Sequence, residues 1–486
     1  MFFRLKIQHV VFASVFLAFV LVNGNKIVDP DMWWHLKIGE YIWQNKTIPH
    51  TDFYSFTNVG HAWITHEWLA EVAFYLANRT GNFYGLFILN LGVLTAVFGL
   101  AGRLIYLRAE KDLTLTTVIL VACIVFTSIF WVFRPHLIAY LYFISYLLIL
   151  ELFHRGKNYT WLLPPIMILW VNTHGSYIIG LVMILLHIAG GIIPLNLGKL
   201  IAEPWERRQL KKIFLILVIV IAAIFVNPNT YKLLYYPFFT INSGQIVDNI
   251  AEWSSPDFHI PVFKAFLGYF FVVFSVLIIS KKAVKLRDLL YLGLFTYLAM
   301  FGARNIALFM FVSGPVLAEH AAGFLNPSRH QRQVYWLNWL VLTVVLGYAL
   351  YSLPPQGTIG QHVNREEFPV QAVEFINRQG LRGTVFNEYD WGGYLIWSRF
   401  PENKVFVDGR TDIYEDRVLP DYIEILNLRP GGYRLLQKYN PDYILLKRDA
   451  ALNQLLDAKG DWRLIYEDEV AKLYRRGKEN RVHGLK

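Results

Sequence analysis

Val28-Asp29-Pro30-Asp31-Met32-Trp33-Trp34-His35-Leu36 and its downstream echo, Trp63-Ile64-Thr65-His66-Glu67-Trp68-Leu69, decide how the rest of the chain is read. The first stretch follows an apolar run at 7–22 and sets two carboxylates, a histidine and two tryptophans at what reads as a membrane boundary. Ionisable groups at that depth are expensive unless they face protein or water, so they mark a site. A plainer account also exists. Tryptophan is enriched at bilayer interfaces, and Asp-Pro-Asp caps the helix that follows.

Composition sets the class around this stretch. Of 486 residues, 55% are hydrophobic and only 17% charged, and the mean hydropathy is +0.36. Those values describe a polytopic α-helical membrane protein. The formal net charge of +10 falls in short Lys/Arg clusters between apolar spans, where it sets topology rather than binding nucleic acid. Cys123 is the only cysteine and lies in an apolar run, which excludes a disulfide framework.

The basic start, Met1 to Lys6, lacks a small-residue cleavage site after its apolar run and reads as a retained first helix. Runs long enough to span lie near 7–23, 84–107, 114–132, 136–153, 160–173, 176–194, 212–227, 262–280, 287–302, 305–319 and 335–353, about eleven in all. With the N-terminus cytoplasmic, the clusters Arg108/Lys111, Arg155/Lys157, Arg207/Arg208/Lys211/Lys212, Lys281/Lys282/Lys285/Arg287 and Arg329/Arg332 all fall inside. The polar, motif-like segments then share the outer face. They are 24–83, Arg134-Pro135-His136, Asn172-Thr173-His174-Gly175, 227–261, Ala303-Arg304-Asn305 and everything after 353.

Within the first outer loop, 24–83, Met32 to Gln44 and Glu67 to Asn78 read as amphipathic helices lying in the membrane plane. The turn-rich Pro49 to Gly60 connects them. Pro164-Pro165 and Asn172-Thr173-His174-Gly175 interrupt an apolar stretch, and such broken backbone is tolerated where it lines a cavity or is buried in protein. After Pro354-Pro355 the composition is that of a soluble domain. Helices are expected at 369–379, 416–427 and 431–439, and strands at 383–387, 404–408, 442–446, 462–467 and 470–475, which make a small α/β layer domain. The division expected is a membrane domain, 1–353, that includes the structured loop 24–83, and an outer domain, 360–486.

These features resemble the C-type membrane glycosyltransferases (GT-C), among them oligosaccharyltransferase catalytic subunits, protein O-mannosyltransferases and the aminoarabinose transferase of lipid A. The likeness lies in an acidic motif directly after the first helix, two in-plane helices in a long first loop, a multi-span body and an outer C-terminal domain. Asp29-Pro30-Asp31 is similar to the family's first-loop acidic motif. Tyr389-Asp390-Trp391-Gly392-Gly393-Tyr394 is more loosely similar to the Trp-Trp-Asp-Tyr-Gly motif of oligosaccharyltransferases, departing from it in Trp391 and an added glycine.

The resemblance implies transfer of a sugar from a polyprenyl-phosphate-linked donor to a protein, lipid or glycan acceptor on the outer face. An acceptor needs a carboxylate to activate it. Asp29 is the candidate, with Asp31, His66 and Glu67 as second carboxylate and orienting groups. The departing phosphate needs preorganised cations, for which Arg134, His136, His174 and Arg304 stand at outward helix ends. Each has a plainer role, since Arg snorkels to headgroups and a lone His is more often a satisfied core residue. Glu252, Asp390 and Trp391 are placed on the acceptor side, with capping or ion pairing the alternative for Glu252. Asp29, Asp31 and Glu252 suit Mg²⁺ or Mn²⁺ through hard oxygen ligands. Relatives with monophosphate donors generally lack a metal, so the metal stays open. The expected setting is a bacterial inner membrane. Two other classes fit less of the sequence. A lipid-linked-sugar flippase is typically built from repeated halves, and no repeat is apparent. A non-catalytic envelope scaffold leaves the first-loop acids without a purpose.

Overall fold

The computed structural model describes residues 7–23, 27–236, 253–322, 324 and 335–477. By contacts the chain divides into two units, one of 7–23, 84–236 and 253–356, the other of 27–83 and 357–477. The segment 27–83, expected to belong with the membrane helices, is grouped by its contacts with 357–477.

The first unit is helical throughout most of its length. Its helices include Ile7–Asn23, Leu113–Thr127, His136–His154, Leu163–Val171, Ile178–Ala189, Arg207–Ile224, Pro261–Ile279, Leu286–Phe301, Ile306–Ala321 and Tyr335–Tyr351. It also holds most of Trp68–Arg108, which is kinked at Asn82, where the backbone leaves helical geometry at φ 50° and ψ −140°. Among the described residues, four helices are long and apolar enough to cross a membrane: Trp68–Arg108, Leu113–Phe130, His136–His154 and Pro261–Ile279. These four do not confirm the expected count of about eleven spans.

The reason is visible in individual segments. The stretch expected to span at 160–173 is only a nine-residue helix, Leu163–Val171, begun by Pro164-Pro165 and ended at Asn172. At about 1.5 Å per residue such a helix falls far short of a ~30 Å hydrocarbon core. The run expected at 176–194 ends as a helix at Ala189, because the chain then turns into a short hairpin, Leu195–Leu197 with Leu200–Ala202. Buried ion pairs tie helix ends within this unit. Arg108 Nε donates to Glu319 at 2.7 Å and its Nη1 to Asp288 at 3.1 Å, while Arg287 Nη2 reaches Glu151 at 3.1 Å.

The second unit is built on a five-stranded sheet in the order Asn403–Val405, Gly383–Asn387, Tyr443–Lys447, Ala471–Arg476, Trp462–Glu467. Its first three strands are parallel and its last two antiparallel. Alternating apolar residues from these strands and the flanking helices form a core that includes Phe386, Phe406, Tyr422, Leu436, Ile444, Leu456 and Tyr474. The expected C-terminal sheet domain is present. Helices Gly392–Arg399 and Ala451–Lys459 add to the elements legible in sequence.

The first loop is sewn into this domain. Asn403–Val405 is an edge strand, and the loop lies along it, with Ser55 in a parallel bridge to Val405 and Phe56 N donating to Val405 O at 3.0 Å. An edge left open would invite pairing with other chains. Thr57 Oγ1 donates to Phe406 O and Asn58 Nδ2 to Ile413 O, both at 2.6 Å. A second bridge joins Ile27 to Val363.

Candidate functional site

The acidic motif is held by the helix it precedes. Asp29 is buried, at 4% exposure, and its Oδ1 accepts from the amides of Asp31 at 2.8 Å and Met32 at 3.3 Å. Those amides belong to the start of helix Met32–Asn45 and would otherwise be orphans. Asp29 therefore performs the capping that its position allows, and Asp31 at the N-cap makes no side-chain cap bond. Asp31 Oδ1 instead accepts from Trp34 Nε1 at 3.2 Å. Both carboxylates are thus oriented by hydrogen bonds within one helical turn.

Gly393 brings the C-terminal domain onto this turn. A Cβ at Gly393 would lie 2.5 Å from the Pro30 carbonyl oxygen and 3.1 Å from Trp34 Cδ1, so only a glycine lets the two backbones approach this closely. Trp33 packs edge-on to Tyr394 and Phe368, with centroids 5.3 and 5.8 Å apart. Trp391 is buried and donates from Nε1 to Glu367 O at 2.8 Å, whereas Asp390 is exposed and lies 3.6 Å from Lys447 Nζ. Of the remaining residue expected on the acceptor side, Glu252, nothing is described. It falls outside the described residues.

Arg410 is the hub that sequence reading leaves unassigned. Its guanidinium grips Asp408 with two bonds of 2.7 Å, and its Nη1 meets Asp52 Oδ1 at 2.8 Å. Tyr414 Oη closes the network on Asp408 Oδ2 at 2.5 Å. The guanidinium also faces Trp63, 4.7 Å from the ring centroid. Arg410, Asp52 and Asp408 are each at most 2% exposed. Asp52 in turn accepts from Tyr54 N and Ser55 N, which shapes the connection between the two loop helices.

The second half of the loop brings a different set together. His35 Nδ1 is 3.3 Å from Glu71 Oε1, and His35 Nε2 is 3.9 Å from Glu67 Oε2. His66 Nε2 lies 3.7 Å from Glu67 Oε1, and burial pushes the His66 imidazole down to about 4, so it is neutral at pH 7. One ligand atom from each of His35, Glu67 and Glu71 lies within 4.8 Å of the others, a group able to hold a metal ion. His35 and Glu71 were not among the expected site residues. Their signal was present in the helical spacing of Glu67 and Glu71, four residues apart, which puts both on one face.

The expected phosphate-binding residues all belong to the first unit. Arg134 is half-buried in the turn before helix His136–His154. His136 Nε2 is 2.7 Å from Phe130 O, so its ring partly satisfies the preceding turn. His174 sits in extended backbone at the break after Val171, and its Nδ1 accepts from Ser176 N at 3.2 Å. Arg304 stacks over Trp253, 4.5 Å from its centroid, and Ala303 N donates to Ser254 O at 2.9 Å. The broken segment 172–177 and the Ala303-Arg304-Asn305 turn are non-α-helical, as the polar interruptions in sequence lead one to expect.

No family model matches the chain, and no curated protein is similar to it in sequence. Solved structures do match. ArnT from Cupriavidus metallidurans, bound to undecaprenyl phosphate, aligns over 97% of this chain and 98% of its own, with a TM-score of 0.51 at 11% identity. The archaeal oligosaccharyltransferase AglB from Archaeoglobus fulgidus, in complex with an inhibitory peptide and a dolichol-phosphate, aligns over 90% of this chain and 69% of its own, with a TM-score of 0.52 at 11% identity. Its apo form aligns over the same shares with a TM-score of 0.53. The chain has the GT-C fold. At such identities the GT-C likeness extends to architecture, and the roles of individual residues rest on their own chemistry.

Proposed function

We propose that this GT-C-fold protein is a membrane glycosyltransferase that moves a sugar from a polyprenyl-phosphate-linked donor to a protein, lipid or glycan acceptor on the outer face of the membrane. The observation that carries the reading is the acidic motif Asp29-Pro30-Asp31, ordered at a helix start within a fold shared, nearly end to end, with a protein solved with undecaprenyl phosphate. Asp29 is assigned the general base that takes the acceptor's proton, and Asp31 the second carboxylate. His66 and Glu67 are assigned orienting roles. Arg134, His136, His174 and Arg304 are assigned to the donor phosphate, where fixed positive charge favours the developing anion. Asp390 and Trp391 are assigned to the acceptor side, Asp390 through its exposed carboxylate and Trp391 by holding the backbone around it. Glu252 is kept as an acceptor-side carboxylate from sequence alone. The hard oxygens of Asp29 and Asp31 suit Mg²⁺ or Mn²⁺, whose charge would stabilise the leaving phosphate.

The working division has two parts, a membrane-spanning one and an outward one made of the first loop and residues 357–477. The N-terminus is proposed to be cytoplasmic, in a bacterial inner membrane, with about eleven crossings, the shorter helices completing spans with their flanking turns.

Asp29→Asn tests the chemistry. The amide keeps an Oδ1 acceptor for the Asp31 and Met32 amides, so the helix start survives, while the proton acceptor is lost. Sugar transfer from a polyprenyl-phosphate donor should fall by on the order of a hundredfold or more. Arg134→Ala in the same assay should weaken donor binding more than turnover. Unchanged transfer by a stably inserted Asp29→Asn protein would remove Asp29 from the mechanism. Donor binding without any transfer in the unmodified protein would favour a flippase or a scaffold.

A further inference from the structure

Seven charged side chains in the first unit join in one unbroken chain of ion pairs. Arg155 Nε meets Glu151 Oε1 at 2.6 Å, Glu151 Oε2 meets Arg287 Nη2 at 3.1 Å, and Arg287 Nε lies 3.5 Å from Asp288 Oδ1. Arg108 bridges Asp288 and Glu319 at 3.1 and 2.7 Å. Lys285 Nζ ends the chain on Glu319 Oε1, at 2.7 Å. Because the chain begins and ends on a cation, four positive groups share three carboxylates, and one positive charge is left over. The neighbouring Lys282 and Glu110 pair with each other and cancel. Arg287 stands in the middle with its side chain only 7% exposed, where uncompensated charge is costly.

Two donor or acceptor atoms in the same place have nothing to bond. Arg287 Nη1 and His187 Nε2 are buried and have no hydrogen-bond partner among the described residues. Both residues line a cavity of about 40 Å³, whose other walls include Leu147, Tyr291 and Val316. Arg287 also lines a second cavity, of about 20 Å³, with His154, Lys285 and Trp205, and with Glu203, which is exposed to solvent. At ~10–15 Å³ for each water-sized group, the larger cavity admits roughly three. Water there would satisfy the two atoms and leave the surplus charge. The oxygens of a monoanion do both, since a guanidinium presents its N–H groups to phosphate as a fork and His187 donates from Nε2 in the tautomer protonated there.

The surroundings indicate which anion. Five helices meet at this end, with Arg108, Glu151, His187 and Glu319 in last turns and Arg287 and Asp288 in a first turn. Gly190 touches Arg287 closely, since a Cβ on it would lie 2.6 Å from Arg287 Cβ. Two residues beyond each of these, Ile192 and Leu289 are exposed, as is Ile193, and exposed apolar side chains at the end of a membrane bundle meet acyl chains. Basic pockets between membrane helices take anionic headgroups in this setting.

We infer that Arg287 and His187 hold the phosphodiester of an anionic phospholipid, whose acyl chains run along Ile192, Ile193 and Leu289. The site is distinct from the residues assigned to sugar transfer. His136 and Glu151 stand at opposite ends of one helix, roughly 22 Å apart at 1.5 Å per residue. It stands whether or not the chain transfers a sugar.

The test uses the full-length protein, delipidated in a neutral detergent and titrated with phosphatidylglycerol, phosphatidylcholine or inorganic phosphate. Native mass spectrometry counts bound lipid, and the thermal midpoint is followed in parallel. One phosphatidylglycerol per chain is expected to stay bound and to raise the midpoint, while phosphatidylcholine does neither. Arg287→Gln should weaken phosphatidylglycerol binding by about tenfold or more, the worth of a charge-assisted contact. The variant keeps its fold, because Glu151 retains Arg155 and Asp288 retains Arg108. Lys211→Gln with Lys212→Gln, exposed on helix Arg207–Ile224, should change binding by less than about twofold, since exposed charges are screened. Equal losses from Arg287→Gln and from the lysine pair would overturn the site in favour of diffuse attraction. Equal midpoint rises with phosphatidylglycerol and phosphatidylcholine on the unmodified protein would overturn it without any variant. Inorganic phosphate matching phosphatidylglycerol would overturn the lipid assignment and leave a free-anion site.

Discussion

Replacing Arg410 with methionine should loosen the first loop from the C-terminal sheet. The guanidinium holds Asp408 through two 2.7 Å bonds and Asp52 at 2.8 Å. At an effective dielectric of about 20, a contact of that length carries roughly 6 kcal/mol of attraction before desolvation is counted. Desolvation of the ions offsets much of that, so the net worth of the intact network is small. Truncating its one cation is another matter, because Asp408 and Asp52 stay buried with no countercharge, and losses of that kind run about 3–5 kcal/mol. Loss of the guanidinium over Trp63 adds about 1 kcal/mol. Methionine fills much of the volume, so the loss is electrostatic rather than a cavity. Denaturant unfolding of the full-length protein, followed by tryptophan fluorescence, should show a midpoint shift of that size, with early proteolysis in the loop. Adding Asp52→Asn and Asp408→Asn to Arg410→Met should recover part of it, since a network removed whole leaves no stranded charge. A single Arg410→Met variant within about 1 kcal/mol of the parent would refute the reasoning.

Gly393→Ala forces a Cβ against the Pro30 carbonyl and should destabilise the second unit by about 1–3 kcal/mol, whereas Gly347→Ala, with open space around it, should be near neutral. Equal midpoints for the two would show that the close approach carries no weight. Burial raises the Glu388 carboxyl above its usual range of about 4.5, so its share of stability is full below that value and is lost as pH rises through the raised pKa. Glu388→Gln keeps an acceptor for Lys447 N and should flatten the decline. Parallel stability curves from pH 4 to 8 would contradict this. For orientation, Cys123 is the only cysteine and is buried, so Glu469→Cys, at a 94% exposed side chain, gives a clean reporter. An impermeant maleimide should label it in intact spheroplasts, and labelling only after permeabilisation would reverse the topology.

Much of the secondary structure was legible because periodicity is local. The helix expected at 369–379 is Val370–Arg378, and the strand expected at 383–387 is Gly383–Asn387. Helix Gly392–Arg399 was not, since it opens with two glycines, whose backbone entropy weighs against a helix, and is fixed by packing on Pro30 and Trp34. The acidic motif was legible as a helix start with charge. Its bond to the sheet domain was not, because pairing between Ser55 and Val405 leaves no mark within either segment. Nothing local in the sequence marks Arg410, and only the fold shows that it stands between Asp408 and Asp52. His35 and Glu71 illustrate the same limit, with one half of the pattern on each of two helices.

The hydrogen bonds from Thr57 to Phe406 and from Asn58 to Ile413 span 349 and 355 residues of chain. Synthesis at about 5–20 residues per second separates the two partners by roughly 20–70 s. For that interval the loop emerges from the membrane with Ser55, Phe56 and Asn58 still unmatched, and helix after helix is inserted before the strand that completes it exists. The acidic motif sits in a segment whose shape is finished by the last quarter of the polypeptide. A chain that ends before Val405 carries Asp29 and Asp31 on a loop that still lacks the strand it pairs with.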